Sequence, residues 1–210
     1  MSGFNGDSND DIPRLPPDTL AILNEFYEEQ NEKAKKEEHG DIGEDWQLSQ
    51  FWYDDHTATT LGKEVLEIGK NGRICCLCSP TLYKKLQELK QGDREVYLFE
   101  YDKRFAVFGE DFVFYDYNEP LNLPKHISKN SFDVVFADPP FLTEECFSKV
   151  AKTVEYLMKD KLIICTGLRM QDVVEKLLQA RPCRFIPQHK SNLMNAFRCY
   201  TNYDSKLLNQ

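Results

Sequence analysis

Residues 131–141 read Ser-Phe-Asp-Val-Val-Phe-Ala-Asp-Pro-Pro-Phe. An apolar run of strand length, Phe132–Ala137, leads directly into Asp138-Pro139-Pro140-Phe141. Similar runs recur at Arg73–Cys78, Glu95–Glu100, Phe112–Tyr115, Lys161–Cys165, Cys183–Pro187 and Ala196–Asn202. Helical stripes lie between them. Asp54 or Asp55 caps a segment whose Ala58, Leu61, Val65 and Ile68 share one face, ended by Asn71-Gly72. Ser79 and Pro80 form the cap and first turn of a second, with Leu82, Leu86 and Leu89 as its stripe and Gly92 as its stop. Thr143 caps a third that turns Phe147, Val150, Ala151, Val154 and Leu157 inward. Val173, Val174, Leu177 and Leu178 mark a fourth. Alternating helices and near-continuous apolar strands predict an α/β fold, with a parallel sheet covered on both faces. Only Gln188–Asn195 separates the last two runs, and it carries no stripe. The sheet is therefore expected to be doubly wound and seven-stranded, ending in an antiparallel hairpin.

The tetrapeptide gains meaning from its place. In doubly wound sheets ligands bind beyond the carboxyl ends of strands. A residue before proline is driven to an extended conformation, so Asp138 continues the strand into that crevice. Pro139 and Pro140 have no N–H, so their backbone offers carbonyl acceptors only. One carboxylate, adjacent carbonyls and the ring of Phe141 make a receptor for an amino group. The bland alternative is ordinary Asp-Pro-Pro turn chemistry. Glu100 and Asp102 end the run Glu95–Glu100, about 20 positions past the first strand, where a carboxylate meets ribose hydroxyls in Rossmann-like folds. Asp116 and Tyr117, after Phe112–Tyr115, are placed to meet an adenine amino group.

The turn after the first strand, Cys78-Ser79-Pro80-Thr81, has no glycine. A dinucleotide pyrophosphate needs close backbone approach there and is not expected. S-adenosylmethionine has no phosphate and needs that approach less, and the helix start at Ser79 and Pro80 still offers N–H groups to its carboxylate. Cys75 and Cys78 form a C-x-x-C, but on a strand they face opposite sides. With no second pair and scattered histidines, no metal site is expected. Phosphate-loop and esterase motifs are absent too.

The net charge of −9 is not evenly spread. Residues 1–45 hold 13 Asp/Glu and 4 Lys/Arg, and the remainder is balanced at 22 of each. That argues against a nucleic-acid coat, which needs a basic surplus. The expected organisation is an acidic tail and helix over 1–45, then a catalytic domain over 46–210. The helix begins near Pro16 with a stripe of Leu20, Leu23, Phe26 and Tyr27. Asn31–Asp45 reads as a solvated helix end and linker. No run is long and apolar enough to cross a membrane, and the N-terminus resembles no targeting peptide. The odd count of seven cysteines, mostly in apolar runs, fits reduced buried thiols, so a cytoplasmic protein is expected.

Several stretches together carry a resemblance: 46–53 (WQLSQFWY), 99–105 (FEYDKRF), 114–118 (FYDYN), 138–141 (DPPF), 165–167 (CTG) and 197–204 (FRCYTNYD). The chain resembles the elongation factor 1-alpha lysine methyltransferase 1 family, formerly putative N6-adenine-specific DNA methyltransferases, among class I S-adenosylmethionine-dependent enzymes. The resemblance implies a Rossmann-like methyltransferase sheet. It also implies transfer of up to three methyl groups to a lysine of elongation factor 1-alpha, with S-adenosylhomocysteine as product. It places Asp138, Pro139, Pro140 and Phe141 at the reacting amine, with Phe141 standing where tyrosine is commoner. Ser79, Pro80, Glu100, Asp102, Asp116 and Tyr117 then surround the cofactor. Phe51 and Trp52, ahead of the first strand, either close over its methionine end or serve as plain core. The partner expected is the elongation factor, with no stable nucleic-acid or membrane binding, and the enzyme a monomer. Two rival readings are an N6-adenine nucleic-acid methyltransferase and a non-catalytic binding module on this fold.

Overall fold

The computed structural model describes Ile22, residues 25–32, Lys35, residues 42–191 and residues 193–210. The chain divides into two compact units, Met1–Asp41 and Ile42–Gln210. In the first, Ile22, residues 25–32 and Lys35 are helical, and the exposed rings of Phe26 and Tyr27 meet edge to face at 6.2 Å. The expected helix start near Pro16 lies outside the described residues.

In the second unit, seven strands form one sheet in the order β3-β2-β1-β4-β5-β7-β6. These are β1 (Ile74–Leu77), β2 (Val96–Glu100), β3 (Phe112–Phe114), β4 (Phe132–Ala137), β5 (Met158–Gly167), β6 (Arg181–Pro182) and β7 (Phe197–Thr201). The first five run parallel, and β7 pairs antiparallel with both β5 and β6. β1 lies inside the sheet, between β2 and β4, and is buried along its whole length. Its period-2 alternation feeds two cores: Cys75 and Leu77 enter one, Ile74 and Cys76 the other.

Helices cover both faces. α1 (Asp55–Gly69) and α2 (Pro80–Leu89) pack Ala58, Leu61, Val65, Leu82 and Leu86 into one core. α3 (Glu144–Leu157) and α4 (Gln171–Leu178) pack Phe147, Val150, Val154 and Val174 into the other. Each fully buried Leu, Val or Phe among these contributes roughly 1.5–3 kcal/mol. Asp54 caps α1 by accepting from the Thr57 N–H at 2.7 Å, and Thr143 caps α3 by accepting from the Cys146 N–H at 3.2 Å. No described helix is long and apolar enough to cross a membrane.

Three local expectations need correction. Ser79 holds the cap position of α2, but its hydroxyl makes no cap hydrogen bond. Cys75 and Cys78 do not point to opposite sides. Cys78 lies beyond the strand in the left-handed region (φ 55°), which breaks the alternation, and it packs against the same core as Cys75. The sixth strand is Arg181–Pro182 and not Cys183–Pro187. After the Cys183 N–H donates to the Cys199 carbonyl at 2.8 Å, the chain leaves the sheet edge. Phe185 N–H donates to Leu208 O at 2.9 Å and Gln188 N–H to Thr57 Oγ1 at 2.9 Å.

That departure has a consequence for the site. Residues 188–190 cross to residues 52–54 and join them. Asp54 N–H donates to Gln188 O at 3.0 Å, Lys190 N–H donates to Trp52 O at 2.8 Å, and Tyr53 bridges His189.

Candidate active site

A cavity of about 460 Å³ opens beyond the carboxyl ends of β1, β2 and β4. The parallel register sets its floor, pairing Leu77 with both Phe99 and Ala137, so the three strands end level. Cys78, Glu100 and Asp138 follow these ends and all line it.

Its walls come from segments far apart in sequence. Residues 47–52 form one and Asp116, Tyr117 and Asn118 another. Pro139, Pro140 and Phe141 with Leu142 and Arg169 form a third, and His189, Leu193, Met194, Asn195 and Phe197 close the cavity from the terminal hairpin. Eleven of the twelve residues singled out in the sequence line this one space: Asp138, Pro139, Pro140, Phe141, Ser79, Pro80, Glu100, Asp116, Tyr117, Phe51 and Trp52. Asp102 does not. It turns away to accept from Arg104 Nη2 at 2.7 Å, Arg104 Nε at 2.9 Å and Gln50 Nε2 at 3.2 Å. Burial raises the Asp102 carboxyl, but Arg104 outweighs it and the net shift is downward. Asp102 therefore holds Gln50, which lines the cavity, and reaches it only through that neighbour.

Glu100 is buried at 6% exposure. Its Oε1 accepts from the Tyr101 N–H at 3.0 Å, the Asp102 N–H at 3.3 Å and Gln50 Nε2 at 3.4 Å. Oε2 has no such partner among the described residues. Burial pushes this carboxyl up to about 7, against the pull of those donors. Ser79 is 1% exposed, and its hydroxyl has no partner among the described residues. An orphaned buried hydroxyl beside the opening turn of α2 and a buried carboxylate across the floor are what a ligand with a carboxylate at one end and a diol in its middle requires. The amino-acid and ribose parts of S-adenosylmethionine have that pattern, so the residues fit it. Cys78 meanwhile puts a Cβ in the left-handed position where a phosphate loop has glycine.

Asp138 is only partly exposed, through the cavity. Its Oδ2 accepts from the Tyr53 hydroxyl at 2.5 Å. Burial pushes it up to about 7; the Tyr53 hydrogen bond lowers it and the charge of Glu100 raises it. Phe141 is 39% exposed and meets Tyr117 edge to face at 5.9 Å, so two rings stand beside the carboxylate. Asp116 turns Oδ1 to the Asn118 N–H at 2.8 Å, closing the loop that carries Tyr117. Trp52 lines the cavity and meets core Phe105 edge to face at 6.2 Å. Among the described residues no group of His, Cys, Asp or Glu is arranged to hold a metal ion.

Sequence reasoning misses Tyr53, His189 and Glu44. Tyr53 touches Asp138 across 85 residues of chain, and only its place beside Phe51 and Trp52 hints at it. Glu44 ties two walls together. It accepts from the Trp52 N–H at 2.8 Å, Trp46 Nε1 at 3.2 Å and Ser191 Oγ at 2.9 Å.

The family model described as "Probable N6-adenine methyltransferase" matches residues 44–205. The mouse protein named "EEF1A lysine methyltransferase 1" is 50% identical over 205 residues, covering 95% of this chain and 96% of its own. The chicken protein of the same name is 50% identical over 210 residues, covering 96% and 99%. Among solved structures, a Burkholderia thailandensis 1,6-didemethyltoxoflavin-N1-methyltransferase with bound S-adenosylhomocysteine matches 92% of this chain and 93% of its own. Its TM-score is 0.50 at 13% identity, a likeness of fold. With a Rossmann-like methyltransferase sheet and half-identical relatives along nearly its whole length, the chain belongs to the EEF1A lysine methyltransferase 1 family.

Proposed function

We propose that this chain is an S-adenosylmethionine-dependent protein-lysine N-methyltransferase. Its substrate is a lysine of translation elongation factor 1-alpha, to which it adds up to three methyl groups. The observation that carries the reading is one cavity holding both Asp138-Pro139-Pro140-Phe141 and Glu100, in a chain half identical to proteins of that name. The cofactor, when bound, supplies a methyl group on a positively charged sulfonium.

The chain's residues then divide the work. Oε2 of Glu100 accepts from the ribose hydroxyls. The Ser79 hydroxyl and the first free N–H groups of α2, beyond Pro80, receive the carboxylate. Asp116 meets the adenine amino group, and Phe51 and Trp52 cover the methionine end. Oδ1 of Asp138 and the carbonyl oxygens beside the prolines take the N–H groups of the lysine. Phe141 and Tyr117 flank it, and ring faces tolerate added methyl groups where a hydrogen-bond donor would not. Most of the rate enhancement comes from this positioning.

Lysine poses a problem that adenine does not. Its ordinary pKa is about 10.4, and bringing it near 7 costs about 4–5 kcal/mol. Enclosure among Tyr117, Phe141 and Trp52 disfavours the ammonium, as does the sulfonium, whereas an ionised Asp138 favours it. Asp138 therefore holds and aims the nitrogen, while desolvation lets the ammonium give up its proton to solvent, and the lone pair so freed would take the methyl group as S-adenosylhomocysteine leaves. Three carboxylates (Glu100, Asp116, Asp138) against Arg169 line the cavity, which suits a cationic side chain. The seven free cysteines, six of them buried, suit a reducing cytosol.

Tritiated S-adenosylmethionine, offered with purified elongation factor, with DNA and with RNA, tests the reading. Label on the elongation factor, with mass spectra of one lysine at one to three methyls, is the expected result. Label on nucleic acid alone would overturn it in favour of the adenine activity in the family model's description.

A further inference from the structure

We infer that Tyr53 is a positioning residue for methyl transfer: its buried hydroxyl fixes Oδ2 of Asp138 and leaves Oδ1 for the substrate nitrogen. The inference rests on the proposed role of Asp138. It goes further by assigning a second side chain that never meets substrate.

The geometry is specific. Tyr53 is 1% exposed and is not part of the cavity lining. Its hydroxyl reaches Oδ2 at 2.5 Å, and Oδ1 has no protein partner among the described residues. Both ends of the tyrosine are held. Its backbone bridges His189, and its neighbours Trp52 and Asp54 bond residues 190 and 188. Its ring stands edge-on to Phe136 of β4 at 6.5 Å and against His189 at 5.0 Å. The phenol is thus placed to donate to the carboxylate that follows the strand it packs against, with the Cys165 thiol also beside it. A side chain locked by packing and aimed at a reactive group preorganises that group.

The surrounding titratable groups agree with this direction of donation. Tyr53 also contacts the Cys165 thiol, and burial with Asp138 beside it holds the phenol well above its ordinary value, so it keeps its proton. His189 stacks on the ring and is pushed down to about 4 by burial, so it is neutral. Cys78, held well up by burial, is an uncharged thiol. Glu100 is the other carboxyl near Asp138 and raises it. Within this set Tyr53 alone pulls Asp138 toward the ionised form that an amine N–H needs as acceptor.

The test is Tyr53→Phe, which keeps the ring, studied in full-length protein by ¹³Cγ NMR of labelled aspartate. The Asp138 signal is assigned by its absence from Asp138→Asn. Removing one hydrogen bond to a charged group is expected to move the Asp138 titration up by about one to two pH units. It should lower kcat at neutral pH by about 10- to 100-fold, with S-adenosylmethionine affinity unchanged. If the phenylalanine variant does not fold, 3-fluorotyrosine at position 53, a stronger donor, is expected to move the titration down. An unmoved Asp138 titration, or near-wild-type kcat in Tyr53→Phe, overturns the inference. Near-wild-type turnover in Asp138→Asn instead overturns the role of Asp138 itself, whatever Tyr53 does.

Discussion

At the residue scale, two carboxylates share one cavity and one constraint. Asp138→Ala is expected to lower methyl transfer by about 100-fold or more while leaving cofactor affinity nearly intact, since it removes positioning alone. Isothermal titration beside a turnover assay checks both halves. Glu100 should behave oppositely. Its carboxyl rises from the usual 4.5 to about 7 by burial, so the cofactor-free folded state holds a proton that the unfolded chain releases. The Glu100 contribution to stability is then greatest below about 4.5 and falls as pH rises to 7, by on the order of 2–3 kcal/mol. Glu100→Gln is expected to flatten that slope, raise the neutral-pH melting temperature and weaken S-adenosylmethionine binding. Thermal melts from pH 5 to 8 and a binding isotherm measure it. Asp138, Glu100 and Asp116 are legible in the sequence because each lies at or just past the carboxyl end of a strand, where the crevice opens. Tyr53 is not, because its partner is set by folding, and Asp102 misleads because Arg104, two residues on, captures it.

At the element scale, apolar periodicity locates the helices and the parallel strands, since burial on both faces leaves little freedom in composition. It fails at β6. Cys183–Pro187 is apolar enough to be a strand, yet past Cys183 its backbone N–H groups donate to Asn209 Oδ1 and Leu208 O and, just beyond, Gln188 bonds Thr57. Composition reports that a segment is apolar, not what it pairs with. The turn after β1 shows a similar gap: Cys78 accepts a left-handed conformation without glycine, and its N–H donates to Phe99 O at 2.8 Å. Gly72, between α1 and β1, is a tighter case. A Cβ there would stand 2.5 Å from Asp133, whose side chain is pinned by Lys159 at 2.9 Å and by the Arg73 N–H at 3.0 Å. Gly72→Ala is expected to destabilise by about 1–3 kcal/mol, read from urea unfolding, with little change in cofactor affinity for the protein that remains folded.

At the scale of the whole molecule, the charge asymmetry suggests a separable acidic arm. We propose that it steers a basic substrate toward the site. Deleting residues 1–41 should slow methylation most at low salt, and an unchanged, salt-independent rate in stopped assays would reject the idea. The cut must fall there and not after Asp45. Ile42 is 1% exposed within a core, and Glu44 holds Trp46, Trp52 and Ser191, so removing 42–45 as well should lower the melting temperature and loosen cofactor binding. The join between residues 52–54 and 188–190 has a consequence in time. A ribosome delivers the aromatic wall early and the hairpin that fastens it near the end of synthesis, with most of the sheet made in between. The nascent chain can therefore build its central strands long before it can enclose a ligand. A premature stop between residues 142 and 187 yields a chain that carries the motif but lacks both the wall that closes the cavity and the last strand of the sheet.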